Sequence, residues 1–320
     1  MKHKITALLL FLLTGFSIQA QNVLGIDISH HQGDINWTLV ANDGKVFAFV
    51  KATEGFTYDD PLFIANMNNG TSAGVVMGAY HFARPDNNSA MDEANHFVSV
   101  AGAYIGEGFL PPVLDLEDPN ASTHLDQLFS SAQLTDWVQT WMDRVQALTG
   151  VKPVIYLNSN YANFLQSSLN DYPLWIAKPG TSPDSPPNDI GNWNDWAFKQ
   201  YSWSGSVNGI SGDVDLDSYN GTATDFNQML QDIANVQTTS GTDFRVFPNP
   251  SKGDINIAST GSELNQIEIY NTTGQLLQRI FVGNNVDKHL IRLTISKKGI
   301  YFIKITDHQG NISVVKQIIE

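Results

Sequence analysis

Eight short apolar runs punctuate the first two thirds of the chain, and their spacing restricts its fold more than any other feature. They lie near 23–28 (VLGIDI), 46–51 (VFAFVK), 75–82 (VVMGAYHF), 112–117 (PVLDLE), 153–157 (PVIYL), 173–177 (PLWIA), 196–201 (WAFKQY) and 213–217 (DVDLD). Rich in Val, Ile and Leu and bounded by Gly, Pro, Asn or Asp, they read as buried strands. Near-continuous apolarity is what a parallel sheet requires when helices cover its outer face. Each of the first five runs is followed by room for a helix, most clearly over 133–148, where Leu134, Trp137, Val138, Trp141, Val145 and Leu148 recur at helical spacing. The later intervals break the rhythm: 178–195 holds Pro179, Gly180, Pro183, Pro186 and Pro187, and 202–212 holds Gly205, Gly209 and Gly212. Neither supports a packed helix. The pattern predicts an α/β, TIM-like barrel with five βα units and three further strands.

Charge divides the chain. Residues 21–230 carry 24 Asp and Glu against 7 Lys and Arg, whereas 231–320 carry 8 against 9, and all seven Trp lie in the first block. Two compositions imply two domains. Between them, Val236-Gln237-Thr238-Thr239-Ser240-Gly241-Thr242 is polar and helix-poor, a linker by composition. At the other end, Lys2 and Lys4 precede the apolar stretch 7–13, and Ser17-Ile18-Gln19-Ala20 ends in a small residue. This is the pattern of a cleaved export signal, and the stretch is well short of the roughly 20 residues that span a bilayer. The expected division is signal peptide 1–20, barrel 21–230, linker 231–243 and a C-terminal domain 244–320.

The net charge of −14 argues against nucleic acid, whose backbone is bound by clustered Lys and Arg. With no cysteine in the chain, thiolate nucleophiles, disulfides and Cys-ligated zinc are excluded. His30 and His31 could serve a catalytic triad, but no strand–turn–helix Gly-x-Ser-x-Gly elbow supplies the serine. Alternating Asp213, Asp215 and Asp217 resemble the opening of a calcium loop, yet its sixth position is Ser218 rather than Gly and its twelfth Thr224 rather than Glu. The chain is expected to need neither metal nor cofactor.

Carboxylates remain. Residues two apart on a strand share a face, so Asp115 and Glu117 point the same way at the carboxyl end of the fourth run. That end of a parallel barrel holds the chemistry. Asp27 on the first run and Asp215 on the last take the same position, and closure of the ring would make them neighbours. A lone Asp-x-Glu is more often a solvated strand end; four acids at one mouth reverse those odds. Crowded carboxyls raise one another's pKa, which is how a general acid stays protonated near neutral pH. Glycoside hydrolysis uses that arrangement. Around the mouth the sequence sets Tyr80 and His81, Lys51, Glu54 and Tyr201, with Trp175, Trp193, Trp196 and Trp203 in the late segments. Indole faces suit sugar rings, although Trp137 and Trp141 lie on the core face of the predicted helix.

These residues carry a specific resemblance. Gly25-Ile26-Asp27-Ile28-Ser29-His30-His31-Gln32-Gly33-Asp34-Ile35-Asn36-Trp37, Val50-Lys51-Ala52-Thr53-Glu54-Gly55, Gly78-Ala79-Tyr80-His81-Phe82, Leu114-Asp115-Leu116-Glu117, Leu174-Trp175-Ile176-Ala177 and Gln200-Tyr201-Ser202 through Val214-Asp215-Leu216 occur in order. Together they resemble glycoside hydrolase family 25, the N-acetylmuramidases or lysozymes that cut the β-1,4 bond between N-acetylmuramic acid and N-acetylglucosamine. The resemblance implies a flattened five-plus-three barrel. It also implies Glu117 as general acid, Asp27, Asp115 and Asp215 around the reacting sugar, and Tyr80, Lys51, Glu54, Trp175 and Tyr201 as substrate-binding residues. Substrate assistance is favoured over an enzyme nucleophile, with Asp115 or Asp215 orienting the 2-acetamido group and net retention. The departures at Lys178-Pro179 and at Lys199 bear on substrate subsites. A catalytically silent barrel binding peptidoglycan or chitin is the competing reading, and a glycosidase acting on chitin-like chains a third.

From Phe244, alternating runs joined by Gly and Asn turns form an antiparallel sandwich pattern. Phe244-Arg245-Val246-Phe247-Pro248-Asn249-Pro250-Ser251-Lys252-Gly253, Ile269-Tyr270-Asn271-Thr272-Thr273-Gly274-Gln275 and Gly299-Ile300-Tyr301-Phe302-Ile303-Lys304-Ile305 resemble the C-terminal sorting domain of the type IX secretion system. A wall- or sugar-binding module competes, but Trp is missing there and only Tyr270 and Tyr301 are obvious stacking candidates. The expected partners are peptidoglycan strands and the secretion machinery, for a monomer released beyond the outer membrane.

Overall fold

The computed structural model describes residues 23–239, 244–247, 249–259, 263–272, 274–283, 290–310 and 312–319. The segment read as an export signal lies outside the described residues. Nine strands share one sheet: β1 (Leu24–Ile28), β2 (Phe47–Glu54), β3 (Tyr58–Asp59), β4 (Val76–Phe82), β5 (Val113–Asp115), β6 (Val154–Asn158), β7 (Leu174–Ala177), β8 (Phe198–Gly205) and β9 (Val214–Tyr219). The order β1–β9–β8–β7–β6–β5–β4–β2, with β2 paired back to β1, closes eight of them into a barrel. The two-residue β3 hangs on β2.

Seven barrel strands are parallel, but β9 runs antiparallel to both β1 and β8. A parallel return needs a crossover of roughly a dozen residues or more. The Gly-rich stretch 206–213 is too short for one, so the chain doubles back as a hairpin. Among the described residues, seven α-helices accompany the barrel: α1 (Trp37–Asn42), α2 (Phe63–Ser72), α3 (Ala90–Ala101), α4 (Leu125–Leu128), α5 (Ser131–Thr149), α6 (Ser159–Phe164) and α7 (Ala223–Thr239). The last helix runs through Thr239, into a segment that composition reads as helix-poor. A nucleated helix gains a bond for each added residue, so weak helix formers are tolerated at its end.

The helix predicted over 133–148 is α5. Its start is a capping box between Ser130 and Gln133, and its end is Gly150 at φ 74, where a side chain would be strained. Trp141 on its inner face is fully buried, whereas Trp137 is half-buried and donates from Nε1 to the Asn88 carbonyl at 3.0 Å. The letters Gly70-Thr71-Ser72-Ala73-Gly74 do fit Gly-x-Ser-x-Gly, but they close α2 instead of following a strand, and Ser72 Oγ donates to the Asn68 carbonyl at 2.8 Å. They form no nucleophile elbow.

Two cores result. One lies between the sheet and the helices; the other fills the barrel with Val23, Phe47, Phe49, Val113, Trp175, Phe198 and Phe226. Two glycines make the inner core possible. A Cβ on Gly25 would lie 2.4 Å from the Phe47 ring, and one on Gly78 would lie 2.7 Å from Leu110 Cβ and 2.8 Å from the Phe49 ring. The barrel therefore admits two phenylalanines where two of its strands give up side chains.

Beyond the barrel, β10 (Phe244–Phe247), β11 (Asp254–Ser259), β12 (Leu264–Asn271), β13 (Leu276–Phe281), β14 (Leu290–Thr294), β15 (Gly299–Asp307) and β16 (Ile312–Ile319) form two antiparallel sheets. Their orders are β10–β11–β14 and β13–β12–β15–β16. Ile255, Ile257, Ile267, Ile269, Ile303 and Ile305 belong to one shared core, which makes the pair a small sandwich. Among the described residues no helix is long and apolar enough to cross a membrane.

Candidate active site

Inward-facing residues change character along the barrel axis. Above the phenylalanines, the same strands present Asp27 (β1), Lys51 (β2), Tyr80 (β4), Asp115 (β5), Tyr156 (β6), Gln200 (β8) and Asp215 (β9). With Glu117 just past β5, these residues line a cleft of about 390 Å³. All four acids expected at one opening are there. Asp27 and Asp215 are direct partners in the β1–β9 ladder, and Asp115 pairs with Tyr156 across β5 and β6. For Asp215 the strand-end argument needs correction. Because β9 is antiparallel, Asp215 reaches the mouth near the start of its strand, not at its carboxyl end.

A fifth acid sits beneath them. Asp217 faces the same way as Asp215 but one pleat deeper; it is fully buried and accepts from Trp175 Nε1 at 2.9 Å. Burial drives the carboxyls of Asp27, Asp115 and Asp217 well above the ordinary range. For Asp27 the charges of Asp217 and Asp215 add to it, and for Asp115 that of Glu117. Burial pushes Glu117 up to about 7, against the pull of the Lys51 charge and with help from Asp215. Asp215, more open to solvent, is pushed up to about 6, again by burial first. Glu117 is therefore poised to give up a proton near neutral pH.

Lys51 is the only Lys or Arg lining this cleft among the described residues. Its ammonium bonds Glu54 at 2.7 Å and lies 4.5 Å from the centre of the Phe82 ring. Glu54 itself does not line the cleft, contrary to its expected role. It lies at the end of β2, between Lys51 and Arg84, 3.1 Å from the latter. Burial alone would raise its carboxyl, but those two cations outweigh burial and hold it below the usual range. Glu54 thus orients Lys51.

Tyr201 also lies away from the cleft: it is the extra residue at a register shift between Gln200 and Ser202 on β8, which leaves both Gln200 and Trp203 on the cleft side. Trp175 does reach the lining, but as floor: it is 2% exposed, stacked on Phe49 with centroids 4.5 Å apart, and edge-on to Tyr156. Its ring face is already taken. Trp193 is buried too, donating to the Tyr172 carbonyl. The rim indole is Trp203, 60% exposed and lining the cleft. Lys199, on the outward face of β8, pins the Pro-rich loop by donating to the Ser182 and Ser185 carbonyls, so this departure acts on the loop and not on the cleft.

Sequence reasoning passed over Tyr156, Gln200, Asp217 and the neighbours of Asp27 that follow β1. Ser29, His31 and Gln32 line the cleft beside Asp27, whereas His30 turns to Asp60, with Nδ1 2.8 Å from Oδ2. A period-two reading of each run, continued inward from the known acids, would have found Gln200 (two after Phe198), Tyr156 (two after Val154) and Asp217. Among the described residues, no group of three or more His, Asp or Glu could hold a metal ion.

Residues 26–210 match glycosyl hydrolases family 25, and residues 245–320 match the secretion system C-terminal sorting domain. Lysozyme M1 of Streptomyces globisporus is 40% identical over 206 residues, which cover 63% of this chain and 69% of that protein. An N,O-diacetylmuramidase of Chalaropsis sp is 32% identical over 206 residues, covering 60% and 96%. Among solved structures, the bacterial lysozyme from Streptomyces coelicolor superposes with a TM-score of 0.61 at 37% identity, covering 68% of this chain and 99% of that one. A family GH25 lysozyme from Aspergillus fumigatus gives 0.56 at 30% identity, covering 66% and 99%.

Proposed function

From the premise that this chain belongs to glycosyl hydrolases family 25 and is a glycoside hydrolase, we propose that it is an exported lysozyme. Its proposed reaction is hydrolysis of the β-1,4 bond between N-acetylmuramic acid and N-acetylglucosamine in peptidoglycan. The observation that carries the reading is the convergence of Asp27, Asp115, Glu117 and Asp215 on one cleft, with burial pushing Glu117 up to about 7.

In this reading Glu117 protonates the glycosidic oxygen as the bond to the muramic acid anomeric carbon breaks. The carbonyl oxygen of the substrate's own 2-acetamido group attacks that carbon from the opposite face, and Asp115 or Asp215 accepts the acetamido N–H and aligns it. Glu117, now ionised, takes a proton from water as the water oxygen attacks the same carbon and reopens the acetamido group. Two inversions leave net retention. Asp27 stabilises the positive charge that develops at the sugar. Tyr80 and Lys51 hold the substrate, and Trp203 takes over on the rim the stacking role expected of Trp175.

The sorting-domain match places export through the type IX system, to the cell surface or the extracellular space. The division into signal 1–20, barrel 21–230, linker 231–243 and sorting domain 244–320 completes the proposal, with the enzyme acting as a monomer.

Mass spectrometry of digested peptidoglycan tests the assignment. Muramic acid reducing ends are expected, and glucosamine ends would overturn it. Glu117→Gln should lower turnover by roughly 10²- to 10⁴-fold while leaving the fold intact, because general acid catalysis contributes about that much. Wild-type turnover in that variant would sink the role of Glu117.

A further inference from the structure

Asp27 is the most crowded acid of the mouth. Asp215 faces it across the ladder, Asp217 lies one pleat below, and the Tyr80 ring approaches from β4. Asp215 and Asp217 both hydrogen-bond with the Asp27 carboxyl, and Gln200 adds the amide donor, its Nε2 donating to Asp27 Oδ2 at 2.7 Å. Gln200 is 3% exposed, and its Oε1 accepts two further bonds, from the Tyr156 hydroxyl at 2.8 Å and from Trp203 Nε1 at 2.8 Å. A side-chain amide has acceptors at one end and donors at the other. With two donors aimed at Oε1, rotating the amide would set its NH₂ against an indole N–H and a phenol, so Nε2 is held on Asp27.

Trp203 makes this network more than a structural brace. Its indole forms the cleft rim and is 60% exposed, yet its N–H reaches inward to a buried amide. A sugar ring stacked on that indole excludes water from the N–H and strengthens the bond to Gln200. On the reading of the cleft as a peptidoglycan hydrolase site, we infer that Gln200 is a positioning residue. It couples glycan docking on Trp203 to the orientation of the Asp27 carboxylate. Rim occupancy then raises turnover and not affinity alone, which selects glycan strands long enough to cover Trp203.

Kinetics on soluble peptidoglycan fragments test the coupling. Trp203→Phe keeps an aromatic face but loses the N–H; kcat should fall about tenfold, the effect of one hydrogen bond, with KM within about twofold of wild type. Gln200→Glu keeps the acceptor but sets a carboxylate against Asp27, and kcat should fall by about 10²-fold. A Trp203→Phe enzyme with raised KM and wild-type kcat makes the indole a plain sugar platform and overturns the coupling, as does wild-type behaviour of both variants. Carbon-13 NMR titration of the Asp27 carboxyl needs no turnover. Its midpoint should rise in Trp203→Phe, because a weaker donor stabilises the ionised form less, and an unchanged midpoint overturns the inference. A wild-type protein that does not cut peptidoglycan would sink the proposed function, while the titration would still decide the role of Gln200. Since Trp203 is exposed, its variant keeps the test sound even if Gln200→Glu fails to fold.

Discussion

In the lower barrel, Phe47, Phe49 and Phe198 pack edge to face, with ring centroids 5.1–5.9 Å apart. One or two pleats above, the same two strands carry Lys51 and Gln200 in their place, and the neighbouring β1 adds Asp27. The lower layer gains free energy by leaving water and by filling space. The upper layer pays for leaving water, since each crowded carboxyl is easier to keep protonated than to ionise. Stability and chemistry are thus stacked along one axis, and the distance between them is a few residues of strand. Trp175 marks the seam: its face packs on Phe49 and its N–H holds Asp217.

The comparison predicts how each layer fails. Phe49→Ala should destabilise the barrel by about 3–5 kcal/mol, the usual cost of an aromatic cavity in a core, visible as a lower denaturant midpoint. A midpoint within error of wild type would show that the lower layer is not what holds the ring closed.

A change in the mouth should act through pH instead. Glu117 binds its proton more tightly when folded, with its pKa raised from 4.5 to about 7. The stability it lends is therefore complete below about pH 4.5 and lost as the pH climbs to about 7, where the unfolded chain has already ionised. Melting measured from pH 4 to 8 should show this decline, and Glu117→Gln should make it shallower, the other raised acids supplying the rest; an identical slope in the variant would contradict the assignment. Activity should also fall above about pH 7, as the general acid loses its proton.

Asp217→Asn sharpens the contrast further. Its carboxyl is raised by burial and hydrogen-bonds with Trp175 and Asp27, and an amide keeps an acceptor for the indole without the charge. The melting temperature at pH 7 should rise by about 2–4 °C. A fall would mean that the ionised form of Asp217 is needed by the fold. Smallest of all, Tyr201→Phe should leave kcat and KM within about twofold of wild type, because that side chain lies outside the cleft; a larger loss would return it to the binding residues.

Much of this molecule is legible in its sequence because strands and helices bury one face each, and a buried face leaves a period. The eight apolar runs lie within one to four residues of the barrel strands at each end, and α5 begins and ends beside its capping residues. Asp115 and Glu117 share a face by alternation alone. What failed were inferences that needed a partner across the ring. The direction of β9 depends on where the hairpin returns. Glu54 was drawn to the mouth by nearness in sequence, but Arg84 and Lys51 hold it aside. Tyr201 was set at the mouth by its place after the seventh run, but the register shift on β8 leaves it aside and keeps Gln200 and Trp203 on the cleft.

Local chemistry by itself determined the strand and helix rhythm, the division by charge and composition, and the acids able to do glycosidic work, because each is a property of neighbours in the chain. Only ring closure decided that Asp27 faces Asp215, that Asp217 lies beneath them, and that Trp203 reaches Asp27 through Gln200. Those relations join residues as many as 190 positions apart. The free energy of a buried charge depends on what surrounds it in space, and no stretch of sequence contains that information.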